Sequence, residues 1–188
     1  MKVLACCYLL LALTALCLAQ EDKSKTHPDF SGTWMSDETL TSRANPKQLV
    51  RNTEQTTLVI LHREPEVKIT IKTISGGNEQ KREVVYYSDG RGETNPGPTI
   101  SLNLNGVSKE IKSITEWKKG KLLTTSVIRT PMRGAFYNVY IFEEWKLSSD
   151  GQILTQTTSA NSDTVYGVPI ISIPLGGEIK RVYRRVSN

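Results

Sequence analysis

Apolar and polar residues alternate along most of this chain from position 30 onward. In the segment FSGTW at positions 30–34, Phe30, Gly32 and Trp34 fall on one side of an extended backbone, and the two hydroxyl residues fall on the other. A large indole two residues after a glycine indicates a ring that another backbone segment or a long side chain approaches closely. The segment is either an ordinary first strand with a buried tryptophan or the opening strand of a closed barrel.

Later segments repeat this pattern as short strands separated by turns. Residues 67–72 alternate branched apolar residues with charged or hydroxyl residues, which is typical of a strand buried on one face. Glycine-bearing turns follow at 76–78 and 89–90, and further strands are predicted at 57–63 and 82–87. No segment longer than about two turns has a helical period, so we predict very little helix.

Segments without alternation predict the connections. Asn45-Pro46 is typical of an N-cap followed by proline, so one or two helical turns are predicted at 46–52, either plugging a barrel end or forming a surface loop. Residues 91–108 are predicted mainly as loop, with a short strand at 99–104. The prolines of Val168–Leu175 exclude it from a central strand and leave it as a flap at the barrel mouth or a strap on the wall.

About eight to ten short strands at hairpin spacing indicate an all-β sandwich or barrel. We predict a closed up-and-down antiparallel barrel, because sequential hairpins connect such a barrel naturally and closure removes exposed edges. The barrel domain is predicted to span residues 30–188, after a flexible N-terminal tail at 20–29.

The first 19 residues are predicted to be a secretory signal peptide. They carry an early Lys2, an apolar run and small residues around Cys17-Leu18-Ala19, which is typical of a cleavage site near Ala19. We therefore expect a secreted or periplasmic protein.

Composition and charge narrow the chemistry. All three cysteines (Cys6, Cys7 and Cys17) lie in the leader, so the rest of the chain has no thiol for a disulfide or a metal site, which favours a bacterial periplasm or exterior. Without Lys2 the chain carries 23 basic and 19 acidic residues, a net charge of +4, and the basic residues are scattered. We expect no nucleic-acid partner, no transmembrane span in the mature chain, no cofactor and no metal.

The first of two similar Glu-Trp-Lys hairpins predicts the barrel interior. A two-residue turn at Lys119-Gly120 places Thr115 opposite Thr124 and Trp117 opposite Leu122. One face of this hairpin then carries no charge, so it must point inward. Its middle is small and hydroxylated, which leaves volume for a cavity unless large residues from other strands fill it.

The second hairpin predicts an inward carboxylate. A three-residue turn at 149–151 places Trp145 and Thr155 on the inner face and brings Glu143 with them. A four-residue turn is the alternative, in which Glu144 or neither carboxylate points inward.

An inward Glu143 needs compensation. A buried carboxylate is costly unless it is paired, hydrogen-bonded or protonated. In the last strand Arg181 shares a face with Tyr183, so Arg181 is the predicted partner.

The FSGTW segment, the meander of strands and a basic residue in the last strand resemble the lipocalin family. In that family the tryptophan closes one end of an eight-stranded cup and a late Arg or Lys packs across its ring. The resemblance implies structural roles for Gly32 and Trp34, with Arg181 over the indole and Arg184 as second candidate.

A closer resemblance is to small secreted bacterial lipocalin-like (calycin-like) proteins. It includes FSGTW, the Asp89-Gly90 turn with Asn95 nearby, and the segment EWKLSSDG at 144–151 followed by Leu154-Thr155.

Catalytic and phosphate-binding motifs are missing from the sequence, so an enzyme is not expected. His27 lies in the tail, and His62 is expected to be a half-buried strand residue. We expect a small apolar or amphipathic ligand in the barrel; the alternatives are an envelope protein-interaction module and, less favoured, an enzyme that uses Glu143. The predicted ligand-binding residues are Trp117, Trp145, Thr115, Thr124, Glu143, Arg181 and Tyr183.

Overall fold

Antiparallel strands of the computed structural model curl into a nearly closed barrel. The structure describes residues 27–44, 54–96, 110–132, 135–163, 172–174 and 177–186. The strands and the helix, in chain order, are β1 (Gly32–Ser36), α1 (Glu38–Ala44), β2 (Gln55–Arg63), β3 (Glu66–Ser75), β4 (Asn78–Tyr87), β5 (Glu93–Pro96), β6 (Glu110–Lys118), β7 (Lys121–Met132), β8 (Ala135–Leu147), β9 (Ile153–Asp163), β10 (Ser172–Pro174) and β11 (Ile179–Arg185).

Ten of the described strands run around the barrel in the order β4-β3-β2-β1-β11-β9-β8-β7-β6-β5, and the short β10 pairs with the end of β9. The first strand therefore pairs with both β2 and the last strand, β11. The predicted all-β antiparallel barrel is confirmed. The possible strand at 99–104, the predicted helical turns at 46–52 and most of the apolar segment at 168–175 lie outside the described residues.

The β6–β7 hairpin has the predicted register. Lys119 and Gly120 adopt φ values of 52° and 73°, which suit a two-residue turn that needs positive φ at both positions. Thr115 pairs with Thr124, and Trp117 with Leu122. The uncharged face of the hairpin is buried, which confirms the predicted inner face.

The β8–β9 hairpin differs from the predicted three-residue turn. Leu147 pairs with Leu154, and the residues at 149–152 form a four-residue loop. The carboxylate of Asp150 accepts hydrogen bonds from the Ser148 hydroxyl at 2.5 Å and the Gln152 backbone at 3.0 Å, which stabilises the longer loop.

The longer loop changes which residues of β9 face inward. Gln156 pairs with the buried Trp145, so Thr155 lies on the opposite face of β9. Glu143 still points inward, because the alternation of β8 alone places it on the face of Trp145. The four-residue turn was a stated alternative, but its expected consequence for Glu143 was wrong.

The closed end of the barrel is built around Trp34, which is fully buried. The guanidinium of Arg185 lies 4.3 Å from the centre of its ring. The same guanidinium donates to the backbone oxygens of Ser31 at 2.6 Å and Gly151 at 2.8 Å. Arg185 thus ties β1 and the β8–β9 loop to the end of β11.

The resemblance implied Arg181 as the cation over the Trp34 ring, and this prediction is wrong because Arg185 lies there. Trp34 pairs with Arg185 in the β1–β11 register. Arg181 lies earlier in β11, toward the open end, and Arg184 points to the opposite face and pairs with Asp37. The predicted face of β11 was correct, but the position along the strand was not.

The close approach of Arg185 explains why a glycine stands at position 32 in the FSGTW segment. The φ of Gly32 is 131°, and an added Cβ would lie 2.7 Å from Nη1 of Arg185. The expected close approach of a long side chain is therefore present, and the arginine occupies the space.

Helix α1 was not predicted. The Asp37 carboxylate accepts the Leu40 backbone N–H at 2.8 Å and caps the helix. The buried Thr41 hydroxyl accepts the Val182 backbone N–H at 3.0 Å and fixes the helix on the outside of β11.

Side chains close the gap between β4 and β5, where the described residues form no backbone ladder. The Asn95 carboxamide accepts the Val85 N–H and donates to the Val85 carbonyl, both at 2.7 Å. Glu93 accepts the Tyr87 N–H at 3.2 Å. Strand β5 lies within the predicted loop at 91–108, and its Asn95 replaces one step of a strand ladder.

The larger apolar core fills the closed half of the barrel. It contains Phe30, Trp34, Leu58, Ile60, Val67, Ile69, Val84, Tyr86, Leu122, Trp145, Leu154 and Tyr183. A smaller cluster nearer the open end contains Ile111, Ile128, Val139 and Ile141.

Replacing Gly32 with alanine should lower the free energy of unfolding by about 2–3 kcal/mol, because the backbone is strained and Arg185 must move. Gly77→Ala is the matched control: its φ of 81° is also positive, but nothing lies within 4 Å of an added Cβ. Chemical denaturation should show a clearly smaller loss for the control. Equal losses would mean that the Arg185 contact is unimportant.

Replacing Asn95 with alanine should cost about 2 kcal/mol, because it leaves both backbone groups of Val85 without partners. Hydrogen exchange at the Val85 amide should accelerate. The exposed neighbour Thr94, replaced by alanine, should change neither quantity appreciably. An unchanged Val85 exchange rate in the Asn95 variant would contradict the role assigned to this side chain.

Candidate functional site

A cavity of about 470 Å³ occupies the barrel above the larger core. The hydroxyl residues Ser113 and Ser126 line its wall, so the small inner face of the β6–β7 hairpin leaves open volume. Its lining also includes Leu58, Val84, Tyr86, Trp145 and Tyr183 from the core, and Lys81 and Glu54 from exposed positions.

Four polar side chains form a chain of hydrogen bonds across the cavity. The carboxylate of Glu143 accepts from the Tyr86 hydroxyl at 3.3 Å and from the Gln156 amide at 2.8 Å. The Gln156 oxygen accepts from the Tyr183 hydroxyl at 3.4 Å. Because β4 and β8 are not neighbours in the sheet, the Tyr86–Glu143 bond crosses the barrel interior.

Burial raises the pKa of Glu143 above its usual value, although Arg82, the bonds from Tyr86 and Gln156, and Arg181 all act to lower it. Glu143 is partly exposed to the cavity but lies inside the barrel. The desolvation of the carboxylate therefore outweighs the two nearby guanidinium groups.

The two tyrosines of this network also titrate abnormally. Burial raises the pKa of Tyr183 to about 12, with Arg181 opposing and Glu143 adding to the shift. Burial and the negative charge of Glu143 raise the pKa of Tyr86 well above its usual range. Both phenols are therefore hydrogen-bond donors at neutral pH.

Two buried polar atoms of the cavity lining have no hydrogen-bond partner among the described residues. They are Nε1 of Trp145, a residue that is 3% exposed, and Oγ1 of Thr158. Both residues line the cavity. Most buried polar groups are satisfied, so two unpartnered groups on one cavity wall need an explanation.

Four of the seven residues predicted to bind a ligand line this cavity: Trp145, Glu143, Arg181 and Tyr183. Their role in binding remains a prediction.

The other three, Trp117, Thr115 and Thr124, are not part of the lining. The Thr115 and Thr124 hydroxyls lie 2.9 Å apart, and Thr115 donates to Glu93 at 2.7 Å. These hydroxyl groups satisfy one another beneath the cavity, so their small size does not leave open volume.

Trp117 belongs to a closed-end cluster with His27, His62, Glu64 and Ser88. The ring of His27 stacks on Trp117 with a centroid distance of 4.6 Å. Glu64 accepts hydrogen bonds from Trp117 Nε1 at 2.6 Å and from the Ser88 hydroxyl, and its Oε1 lies 3.0 Å from His62 Nε2. Trp117 lies beside the Lys119-Gly120 turn and so faces the closed end instead of the cavity.

The cluster also orders the start of the described chain. His27 Nδ1 lies 3.2 Å from Glu64 Oε1, so ordered contacts begin inside the segment predicted as a flexible tail. His62 is a strand residue, as predicted, but its side chain is only 4% exposed and so is more buried than expected. Burial acts to raise the pKa of Glu64, but the hydrogen bonds from Ser88, His62 and Trp117 outweigh it and hold that pKa below its usual value.

Sequence reasoning missed Arg82, Tyr86, Gln156 and Thr158. The strand at 82–87 was predicted, but its inward face was not assigned. Arg82, Val84 and Tyr86 form that face in β4 and line the cavity. Gln156 and Thr158 were missed because the turn before β9 was one residue longer than predicted.

The described residues contain no group of three or more His, Cys, Asp or Glu side chains arranged to hold a metal ion. Within the same part of the chain, no helix has the length and apolarity that a membrane crossing requires.

The chain is similar to barrel proteins of known structure, but the comparisons identify no family. No family model and no curated protein matches the chain. Secretory abundant heat soluble protein 4 from Ramazzottius varieornatus has a TM-score of 0.47 at 17% identity, covering 84% of this chain and 95% of that protein.

Two lipid-associated structures give similar values. A Schistosoma mansoni fatty acid binding protein in complex with arachidonic acid has a TM-score of 0.47 at 14% identity, covering 84% of this chain and 96% of its own. A fatty acid transporter has a TM-score of 0.46 at 11% identity, covering 85% and 98%. The expected bacterial origin remains a prediction. A function for this protein has to be argued from its own side chains.

Replacing Glu143 with glutamine should raise the free energy of unfolding at neutral pH. A carboxyl whose pKa is higher in the folded state than its usual 4.5 destabilises the fold once the pH exceeds that usual value. The gain should therefore grow as the pH rises from about 4.5 through the folded pKa, and vanish in more acidic solution. Denaturant unfolding over a pH series measures it.

Glu144→Gln is the matched control, because Glu144 faces outward and pairs with Lys121 at 2.8 Å. It should show no comparable gain. A Glu143→Gln variant that is less stable than the wild type at neutral pH would contradict the expected sign.

Proposed function

We propose that this protein binds a small amphipathic molecule in its barrel cavity. The observation that carries the proposal is the pair of unpartnered buried groups, Trp145 Nε1 and Thr158 Oγ1, on the wall of a 470 Å³ cavity. A cavity of this size lies within the range of small-molecule sites, about 300–1,000 Å³.

A purely structural interior would not favour this arrangement. Each buried polar group without a partner costs about 1–3 kcal/mol. A bound molecule that accepts a hydrogen bond from Trp145 would remove the cost at that group.

The cavity also offers the two environments that an amphipathic molecule needs. Its floor consists of Leu58, Val84 and the rings of the larger core, and its wall carries the Glu143 network. Arg82 and Arg181 face this network from β4 and β11. An apolar chain and a polar end therefore each have a surface to contact.

The proposed setting is outside the cytoplasm, as a secreted or periplasmic protein. The leader at residues 1–19, with its apolar run and small residues before Gln20, supports this location. A barrel whose domain sequence contains no cysteine would be insensitive to the redox state of that compartment.

An outer patch of β6–β8 favours a second candidate function, protein interaction. Ile114 and Phe142 are 56% and 39% exposed and flank Thr125 in one row of the sheet. Val127, 41% exposed, lies two residues along β7 from Thr125. An apolar patch of this kind can contact another protein surface.

Binding of the neutral dye Nile red, followed by its fluorescence, tests the cavity directly. Replacing Ser113 and Ser126 together with phenylalanine should fill the cavity and weaken dye binding at least tenfold, because both side chains line it. Near-ultraviolet circular dichroism checks that the fold persists, because the change at Ser113 also removes its 2.6 Å hydrogen bond to Glu93.

The matched control replaces Ile114 and Thr125, the adjacent cross-strand pair on the outer face, with phenylalanine. This control should retain wild-type dye affinity. If the inner pair retains dye binding and the outer pair increases it, the dye binds the outer patch and the cavity proposal is wrong.

A further inference from the structure

We infer that the cavity selects ligands whose polar end is a neutral oxygen, such as a hydroxyl or carbonyl, and that Glu143 excludes carboxylates. This inference rests on the proposed function and specifies its ligand class. It arises from the position of the two unpartnered groups relative to the carboxylate network.

Both unpartnered groups belong to neighbours of Glu143 in the sheet. Thr158 is its direct cross-strand neighbour on β9, and Trp145 lies two residues along β8 on the same face. The indole N–H can only donate, whereas the threonine hydroxyl can donate or accept. A ligand oxygen that reaches this part of the cavity wall would give one of these groups a hydrogen-bond partner beside Glu143.

A neutral oxygen fits this position better than a carboxylate. Two carboxylates that share one enclosed site cannot both remain ionised without a large penalty. A ligand acid at Trp145 would therefore have to bind a proton or force one onto Glu143. An alcohol or a carbonyl accepts the same hydrogen bond without adding charge.

The cationic groups around the site do not reverse this preference. Arg82 from β4 and Arg181 from β11 face Glu143, and the hydroxyls of Tyr86 and Tyr183 complete its surroundings. Despite both guanidinium groups, burial keeps the pKa of Glu143 raised. A ligand carboxylate placed there would pay the same desolvation cost and would also be repelled by the charge of Glu143.

Ligands with a cationic end are disfavoured for a different reason. Lys81, Arg82 and Arg181 all line the cavity, and against them stand Glu54 near the exposed part and Glu143 inside. An ammonium group would pass these three basic side chains before it reached Glu143. A neutral polar end avoids both repulsions.

A matched pair of ligands tests the inference: 1-decanol and decanoic acid, which share one chain and differ in the polar end. Displacement of Nile red from the full chain at pH 7.5 gives both affinities. The wild type should bind 1-decanol at least tenfold more tightly than decanoate. Lowering the pH to 5 should narrow this ratio, because protonation removes one of the two charges.

Variants assign the preference to named groups. Glu143→Gln should bring the two affinities within about threefold, mainly by strengthening decanoate, whereas Glu144→Gln should keep the wild-type ratio. Trp145→Phe and Thr158→Val each remove one polar atom and should weaken 1-decanol several-fold. Thr158→Val keeps the side-chain volume, so it still tests the contribution of a polar wall group if Trp145→Phe fails to fold.

Two results would overturn the inference: decanoate binding to the wild type as tightly as 1-decanol, or an unchanged ratio in Glu143→Gln. Unchanged Nile red binding after Ser113 and Ser126 are both replaced with phenylalanine would instead refute the proposed function itself. The two failures are therefore distinguishable.

Discussion

The contact between Arg185 and the ring of Trp34 fixes the closed end of the barrel. One guanidinium covers the indole and bonds to two backbone oxygens, so it joins β1, the β8–β9 loop and β11. Because β11 alternates strictly, this anchoring also places Tyr183 and Arg181 in the cavity. Gly32 favours the contact, since an added Cβ would lie 2.7 Å from Nη1 of Arg185 and would force the guanidinium to move.

The two halves of the barrel have different interiors as a result. Below, large apolar side chains fill the space around Trp34. Above, Ser113 and Ser126 leave the space open, and a hydrogen-bonded carboxylate stands where a packed core would have a hydrocarbon. The same strands therefore close the barrel at one end and enclose the cavity toward the other end.

Local patterns in the sequence predicted most of the strands, although not β5, and they predicted the inner face of β6–β7 because the charges and the Lys119-Gly120 turn agree. These patterns gave wrong predictions where contacts between distant segments determine the register of the strands. The β8–β9 loop, in which Asp150 accepts two hydrogen bonds, is one residue longer than predicted, and this places Gln156 inward instead of Thr155. Arg185, not Arg181, meets Trp34 because the offset between the first and last strands depends on barrel closure and not on either strand alone. Asn95 was predicted only as part of a motif, since its role needs Val85, ten residues away.

The side-chain closure between β4 and β5 has a consequence for chemical ageing. Asparagine usually deamidates when the next backbone nitrogen attacks its carboxamide, and conversion to aspartate here would abolish the donor to the Val85 carbonyl. The residue after Asn95 is Pro96, which has no backbone N–H. That route is therefore closed, and the amide on which closure of the gap depends is protected against spontaneous loss.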